Sequence, residues 1–200
     1  MIDAIIQKAK GFLISPVESF QNSRADETNA VVSYFVALLV FHAVLAAVIS
    51  FIGMNALGMF TRIMPGFALP VVIFFWVLAG GIIVTALFSL WLHLWVFIVG
   101  GRKGILQTAK AVIYGMTPGM LLGWIPFIGF IFCLWSIVLQ IIGIRELQEI
   151  SSGKALLAVI IAIMVPLILM ILLAMYFFIS AVSTSPGLAA PYNNHPPLLF

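Results

Sequence analysis

The sequence predicts an all-α, polytopic integral membrane protein: five transmembrane helices, preceded by an amphipathic helix that lies in the interface. Three observations predict it. First, the 200 residues include only nine Lys/Arg and six Asp/Glu, while apolar residues make up 64%; an ordinary soluble domain is roughly a quarter charged. Second, no Asp, Glu, Lys or Arg falls in 28–61, 63–101, 111–144 or 155–200. A hydrocarbon core about 30 Å thick takes about 20 apolar helical residues to cross, and each block contains such a run. Third, Lys and Arg accumulate on the cytoplasmic side of membrane proteins. With five crossings Lys8, Lys10, Arg24, Arg102, Lys103, Lys110, Arg145 and Lys154 share one face, and Arg62 alone reaches the other. The N-terminus is therefore expected in the cytoplasm and the C-terminus outside it, as in a multi-pass protein of the cell membrane.

The elements follow in order. Segment 1–28 is cytoplasmic. In it Ile2, Ile5, Ile6, Ala9, Phe12 and Leu13 recur at helical spacing, with Asp3, Gln7, Lys8 and Lys10 on the other side. Such a helix suits the cytoplasmic leaflet, basic residues against anionic headgroups; packing under the protein's own bundle is the alternative. Charges this early do not suit a cleavable signal peptide. Ser15-Pro16-Val17-Glu18 reads as a capping box with proline at the first helical position, opening a second short helix. A transmembrane domain, 29–182, follows, with crossings at 29–54, 70–99, 105–123, 126–144 and 155–182. A Pro/Gly-bearing loop, 56–69, separates the first two. The second crossing exceeds what the core demands and must tilt or protrude. The block 111–144 would be about 50 Å long as one helix. Gly123-Trp124-Ile125-Pro126 breaks it, and Pro126, tolerated in a first helical turn, opens the fourth crossing. The tail, 183–200, is uncharged and rich in Pro, Gly and Asn, with no regular structure expected.

One pattern stands out along the third crossing. Gly104, Thr108, Ala111, Gly115, Gly119 and Gly123 recur every three or four residues, and Gly129, Cys133, Ser136, Gln140 and Gly143 match them in the fourth. Small residues at this spacing let backbones approach, which drives helix association in lipid. A tight central hairpin is expected, with Gly115, Pro118, Gly119, Gly123, Pro126 and Gly129 setting its packing and its bend. Pro118 leaves the carbonyl of Tyr114 without its amide partner, and Pro166 does the same to Ala162. Each freed carbonyl needs another donor.

Polar residues at membrane depth are functional suspects. His42, Thr85, His93, Ser136 and Gln140 form the candidate intramembrane site, with Gln140 expected to meet His93. The two histidines differ in depth by about 10 Å at 1.5 Å per residue, too far for one metal. With Cys133 the only cysteine, neither a metal site nor a disulfide is expected. Gly100-Gly101-Arg102-Lys103-Gly104 lacks the Gly-Lys-Ser/Thr ending of a phosphate loop. It reads as a basic turn, so that Lys8, Lys10, Arg102 and Lys103 are the candidate headgroup contacts. Arg145 and Glu149 are spaced as an i,i+4 pair. Every carboxylate falls in a cytoplasmic segment and no serine has a positioned base. No catalytic residue, cofactor or nucleic-acid surface is therefore expected.

Ile14-Ser15-Pro16-Val17-Glu18-Ser19-Phe20, Ala111-Val112-Ile113-Tyr114-Gly115-Met116-Thr117-Pro118, Trp124-Ile125-Pro126-Phe127-Ile128-Gly129 and Gly143-Ile144-Arg145-Glu146-Leu147 resemble the Yip family of Ypt/Rab-interacting membrane proteins, in its prokaryotic branch. The resemblance implies a five-span fold. For eukaryotic relatives it implies vesicle traffic at Golgi and endoplasmic-reticulum membranes through Rab-type GTPases. This chain lacks the Asp-Leu-Tyr-Gly-Pro stretch those relatives carry before the first span, which argues against GTPase binding. Two functions are expected to compete. One is a non-enzymatic organiser that binds lipids, other membrane proteins or a second copy of itself. The other is a small oligomeric transporter or channel with a passage beside Pro118.

Overall fold

A computed structural model describes residues 2–57 and 68–183. Their regular structure is helical: α1 (Ile2–Ile14), α2 (Pro16–Asn22) with a 3-10 turn (Ser23–Ala25), α3 (Thr28–Leu57), α4 (Ala68–Ile98), α5 (Ile105–Gly115), α6 (Thr117–Leu122), α7 (Ile128–Gln148) and α8 (Ser152–Ser183). Four stretches are each long and apolar enough to cross a membrane: Thr28–Gly53, Ala68–Ile98, Ile128–Gln148 and Ser152–Ser183. Arg62 with the loop around it, and the tail from 184 onward, lie outside the described residues. The chain divides into two compact units, 1–162 and 163–200. In the second, the described residues are the apolar remainder of α8; the rest of the description concerns the first.

The stretch expected as a single third crossing is two helices that meet at Met116. Proline explains the break, because Pro118 has no N–H for the carbonyl of Tyr114. The hydroxyl of Thr117 donates to that carbonyl instead, at 2.7 Å. The carbonyl of Ala162, four residues before Pro166, receives the indole N–H of Trp91 at 2.8 Å. Both carbonyls thus gain donors that lipid could not provide.

The broken pair α5–α6 is the hub. α5 packs on α7, α4 and α3, α6 packs on α7 and α3, and α1 touches both. The approach to α7 is backbone-close: a Cβ on Gly115 would stand 2.6 Å from Gln140 Cγ and 3.0 Å from Gln140 N. Gly119 faces Ser136, whose Oγ accepts the Gly119 N–H at 2.9 Å. Gly123 faces Cys133, and Ala111 faces Gly143, so the two strands of the hairpin run antiparallel.

The turn between them differs from expectation at Pro126. α7 begins at Ile128, and Pro126 lies in the turn, its carbonyl accepting the N–H of Ile128 at 2.7 Å. The interruption is Phe127, in the left-handed region at φ 64 and 97% exposed, which separates Pro126 from any helical continuation. Ser15 also departs from the capping-box reading. It precedes Pro16 at the head of α2 as expected, but its side chain makes no cap hydrogen bond.

At the other end of the bundle α4 stops in a glycine cap. The N–H of Gly101 returns to Val96 O at 2.8 Å and that of Gly100 to Phe97 O at 3.2 Å. Gly100 takes φ 106 to make this possible, a conformation in which a Cβ is strained.

Candidate functional site

The described charged residues gather at one end of the unit, and several of them pair with one another. α1 is fastened there by Phe12, wholly buried, whose ring stacks on Tyr114 at 4.6 Å and meets Phe20 at 4.8 Å. Tyr34 closes the cluster, edge-on to Tyr114 at 5.2 Å. Around these rings sits an ionic clasp. Lys8 pairs with Asp26 and lies over the ring of Tyr114, and the Tyr114 hydroxyl donates to the same carboxylate at 2.5 Å. Lys110, only 1% exposed, donates to the carbonyls of Ser23 at 3.3 Å and Arg24 at 2.8 Å. Those carbonyls end a short helical run, where partial negative charge collects and a cation is favoured.

A second group ties the basic turn to the end of α7. Gln148 accepts the N–H of Lys103 at 2.9 Å and donates to Gly104 O and to Thr108 Oγ1 at 2.8 and 2.9 Å. His93 is here, its Nδ1 2.8 Å from Thr108 Oγ1, so the expected meeting of His93 with Gln140 does not occur. Lys103 pairs with Glu149 at 2.5 Å, Arg24 with Glu146 and Glu149, and Arg145 with Glu146 at 2.6 Å. The expected Arg145–Glu149 pair is absent. Glu149 is left-handed at φ 53, outside the helix, so the i,i+4 geometry is lost. Of the candidate headgroup contacts, Lys8 and Lys103 are ion-paired, and Arg102 caps Phe97 O at 2.5 Å with its guanidinium over the Phe97 ring. Lys10 is exposed and, among the described residues, has no ion pair.

These pairings give the charged end a pH response. Burial pushes the Asp26 carboxyl up, but hydrogen bonds from Lys8 and Tyr114 and the Lys8 charge outweigh it, and the group sits below its ordinary 3.8. The hydrogen bond from Lys103, with the charges of Lys103 and Arg24, holds Glu149 down as well. A carboxylate whose folded pKa lies below its unfolded one stabilises above the unfolded value, and loses that contribution as pH falls through the folded value. Melting temperature is therefore expected to drop from about pH 5 to about pH 3. The drop should be shallower in Asp26→Asn, and equal slopes would remove Asp26 from the account.

Deeper in the bundle, where α3, α4, α6 and α7 diverge, lies a cleft of about 620 Å³. His42, Thr85, Ser136 and Gln140 line it together with Gly119 and Gly123, whereas His93 does not. Most of its polar atoms are already used. Ser136 Oγ donates to Phe132 O at 3.1 Å, Thr85 Oγ1 donates to Met116 Sδ at 3.8 Å, and His42 Nδ1 lies 3.0 Å from Met120 O. Gln140 differs: it is 6% exposed and its Oε1 is buried without a hydrogen bond. Among the described residues, no cluster of three or more His, Cys, Asp or Glu could hold a metal.

Sequence reasoning passed over the clasp. Tyr34, Tyr114 and Phe20 carry no local signal beyond being aromatic, and the partners of Tyr34, Tyr114 and Lys110 are far away in sequence. A usable hint was Lys110 itself, a cation inside an otherwise apolar crossing.

Apolar helices of crossing length, a hub broken at proline and, among the described residues, charges gathered at one end define a multi-pass helical membrane protein. The Yip1 domain model matches residues 10–183. The chain belongs to the Yip family. No curated protein and no solved structure matches it.

Proposed function

We propose that this Yip protein is a non-enzymatic membrane organiser. It crosses the bilayer five times, α5–α6 counting as the broken third crossing, with its charged end in the cytoplasm. There it meets lipid headgroups and other membrane proteins or a second copy of itself. One observation carries this reading: α1 is anchored to the bundle by Phe12 yet keeps an apolar face open. Ile2, Ile6 and Ile14 are 73%, 55% and 68% exposed, beside the exposed Lys10. An anchored helix with open isoleucines and an exposed cation suits the boundary between headgroups and acyl chains. On this reading one flank of α1 packs on the bundle and the other meets the leaflet. A trafficking-type role follows from the family alone.

The test uses the full chain in nanodiscs of mixed zwitterionic and anionic lipid. Native mass spectrometry should find retained anionic lipid on the wild type and about fivefold less on Lys10→Gln, roughly what one exposed cation is worth at a charged surface. Equal retention removes the headgroup reading. Topology is testable in a Cys133→Ser background, where single cysteines in 1–28 should label only from the cytoplasmic side. The cleft favours the second reading, a small oligomeric transporter or channel. Solute flux above that of empty vesicles would replace the organiser with it.

A further inference from the structure

The cleft below the Pro118 bend has a chemistry of its own, separate from the charged end. Among the described residues no Asp, Glu, Lys or Arg lines it, so a carboxylate, phosphate or ammonium would enter without a partner from these walls in a low dielectric, at high cost. Its volume of about 620 Å³ is within the range of small-molecule pockets, about 300–1,000 Å³, which are typically apolar with a few placed polar groups. Trp76, Val77, Val84 and Ile137 supply apolar walls. Two acceptors are left over among its polar groups. Met120 O can only accept, so His42 Nδ1 carries the proton of that hydrogen bond, and in the neutral ring Nε2 remains as an acceptor. Gln140 Oε1 has no donor, and its terminal torsion is soft, so a small rotation turns the oxygen toward a ligand. The hydroxyls of Ser136 and Thr85 spend their protons elsewhere.

A site whose described lining has apolar walls, no Asp, Glu, Lys or Arg, and unfilled acceptors selects a neutral, mostly hydrocarbon molecule with a hydrogen-bond donor. We propose that the cleft between α3, α4, α6 and α7 binds a long-chain alcohol, its chain along Trp76 and Val77 and its hydroxyl donating to Gln140 or His42. The hydroxyl also accepts, so it can take an N–H of the same Gln140 amide. An ether or hydrocarbon of equal length offers these acceptors nothing.

The probe is a long-chain primary alcohol with a diazirine near its hydroxyl, added to the full chain in nanodiscs of zwitterionic lipid and photolysed. Adducts are expected on Trp76, Met120 and Cys133, all of which line the cleft. Unlabelled alcohol should compete about fivefold better than its methyl ether, the difference one hydrogen bond makes. Gln140→Leu should lower labelling by about the same factor. Gly80→Leu is the second variant. Gly80 lines the cleft and a Cβ there meets nothing within 4 Å, so the side chain fills the space without disturbing the fold. It should abolish cleft adducts at an unchanged melting temperature. Adducts spread evenly over the outer helix faces, equal competition by the ether, or full labelling of Gly80→Leu each overturn the proposal. So does a cleft that takes up no alcohol because a partner's helix fills it. The zwitterionic lipid separates this result from the headgroup reading, which needs anionic lipid.

Discussion

Gly115→Val is expected to unfold the protein at markedly lower temperature or detergent stress than the wild type. The first added atom decides it. A Cβ at Gly115 would lie 3.0 Å from the backbone nitrogen and 3.1 Å from the Cα of Gln140. Backbone inside a helix cannot step aside as a side-chain tip can, so α5 and α7 must separate. Inserting extra carbons into a close-packed contact costs about 1–3 kcal/mol and sometimes more. Lipid does not restore the loss, because helix association there rests on packing contacts and hydrogen bonds rather than on expulsion of water. The separation also spreads opposite walls of the cleft, Met116 and Gly119 from Ser136 and Gln140. The control is Gly80→Val, at a glycine whose Cβ would meet nothing within 4 Å. Stability in a dodecyl-sulfate titration should fall for Gly115→Val and stay near wild type for Gly80→Val. Equal curves would mean that the hairpin contact carries no strain.

The helical membrane class is legible in the sequence because burial in lipid leaves a one-dimensional trace, the blocks without charge. Spacing alone also puts Gly115, Gly119 and Gly123 on one face of a helix, the face that the structure sets against α7. The freed carbonyls of Tyr114 and Ala162 follow from proline's missing N–H. Their donors, Thr117 and Trp91, do not, because a donor's identity depends on which helices become neighbours. The same limit hides the clasp: Tyr114 reaches Asp26 across 88 residues of sequence and Tyr34 reaches Thr117 across 83. His93 shows the limit from the other side. Counting residues from a helix end fixes its depth but not its direction around the axis, and direction sends it to Thr108 rather than Gln140. α7 starts at Ile128 rather than at the expected Pro126 because Phe127 takes a left-handed φ that its residue type does not signal, being neither glycine nor asparagine.

Thr117→Val is expected to destabilise by about 1–3 kcal/mol although it preserves shape, since it strips partners from two buried polar groups. A hydroxyl has one proton, and Thr117 gives it to Tyr114 O at 2.7 Å. The contact of 2.8 Å with Tyr34 is therefore one in which Tyr34 donates. Valine leaves the Tyr34 hydroxyl, 2% exposed, without an acceptor, and the carbonyl opposite Pro118 without a donor. Hydrogen bonds between membrane helices average only about 0.6 kcal/mol in double-mutant cycles, so the orphaned groups rather than the lost bonds set the size. Two further variants separate the orphans. Tyr34→Phe in the Thr117→Val background removes the stranded hydroxyl, so the pair should cost less than the two single changes summed. Pro118→Ala in that background returns an N–H four residues after Tyr114, which can close the helical bond to the bare carbonyl and recover part of the stability. In the wild-type background Pro118→Ala has no bare carbonyl to serve, and its gain should be smaller. A rescue of equal size in both backgrounds would show that proline acts through chain stiffness, not through the carbonyl it leaves open.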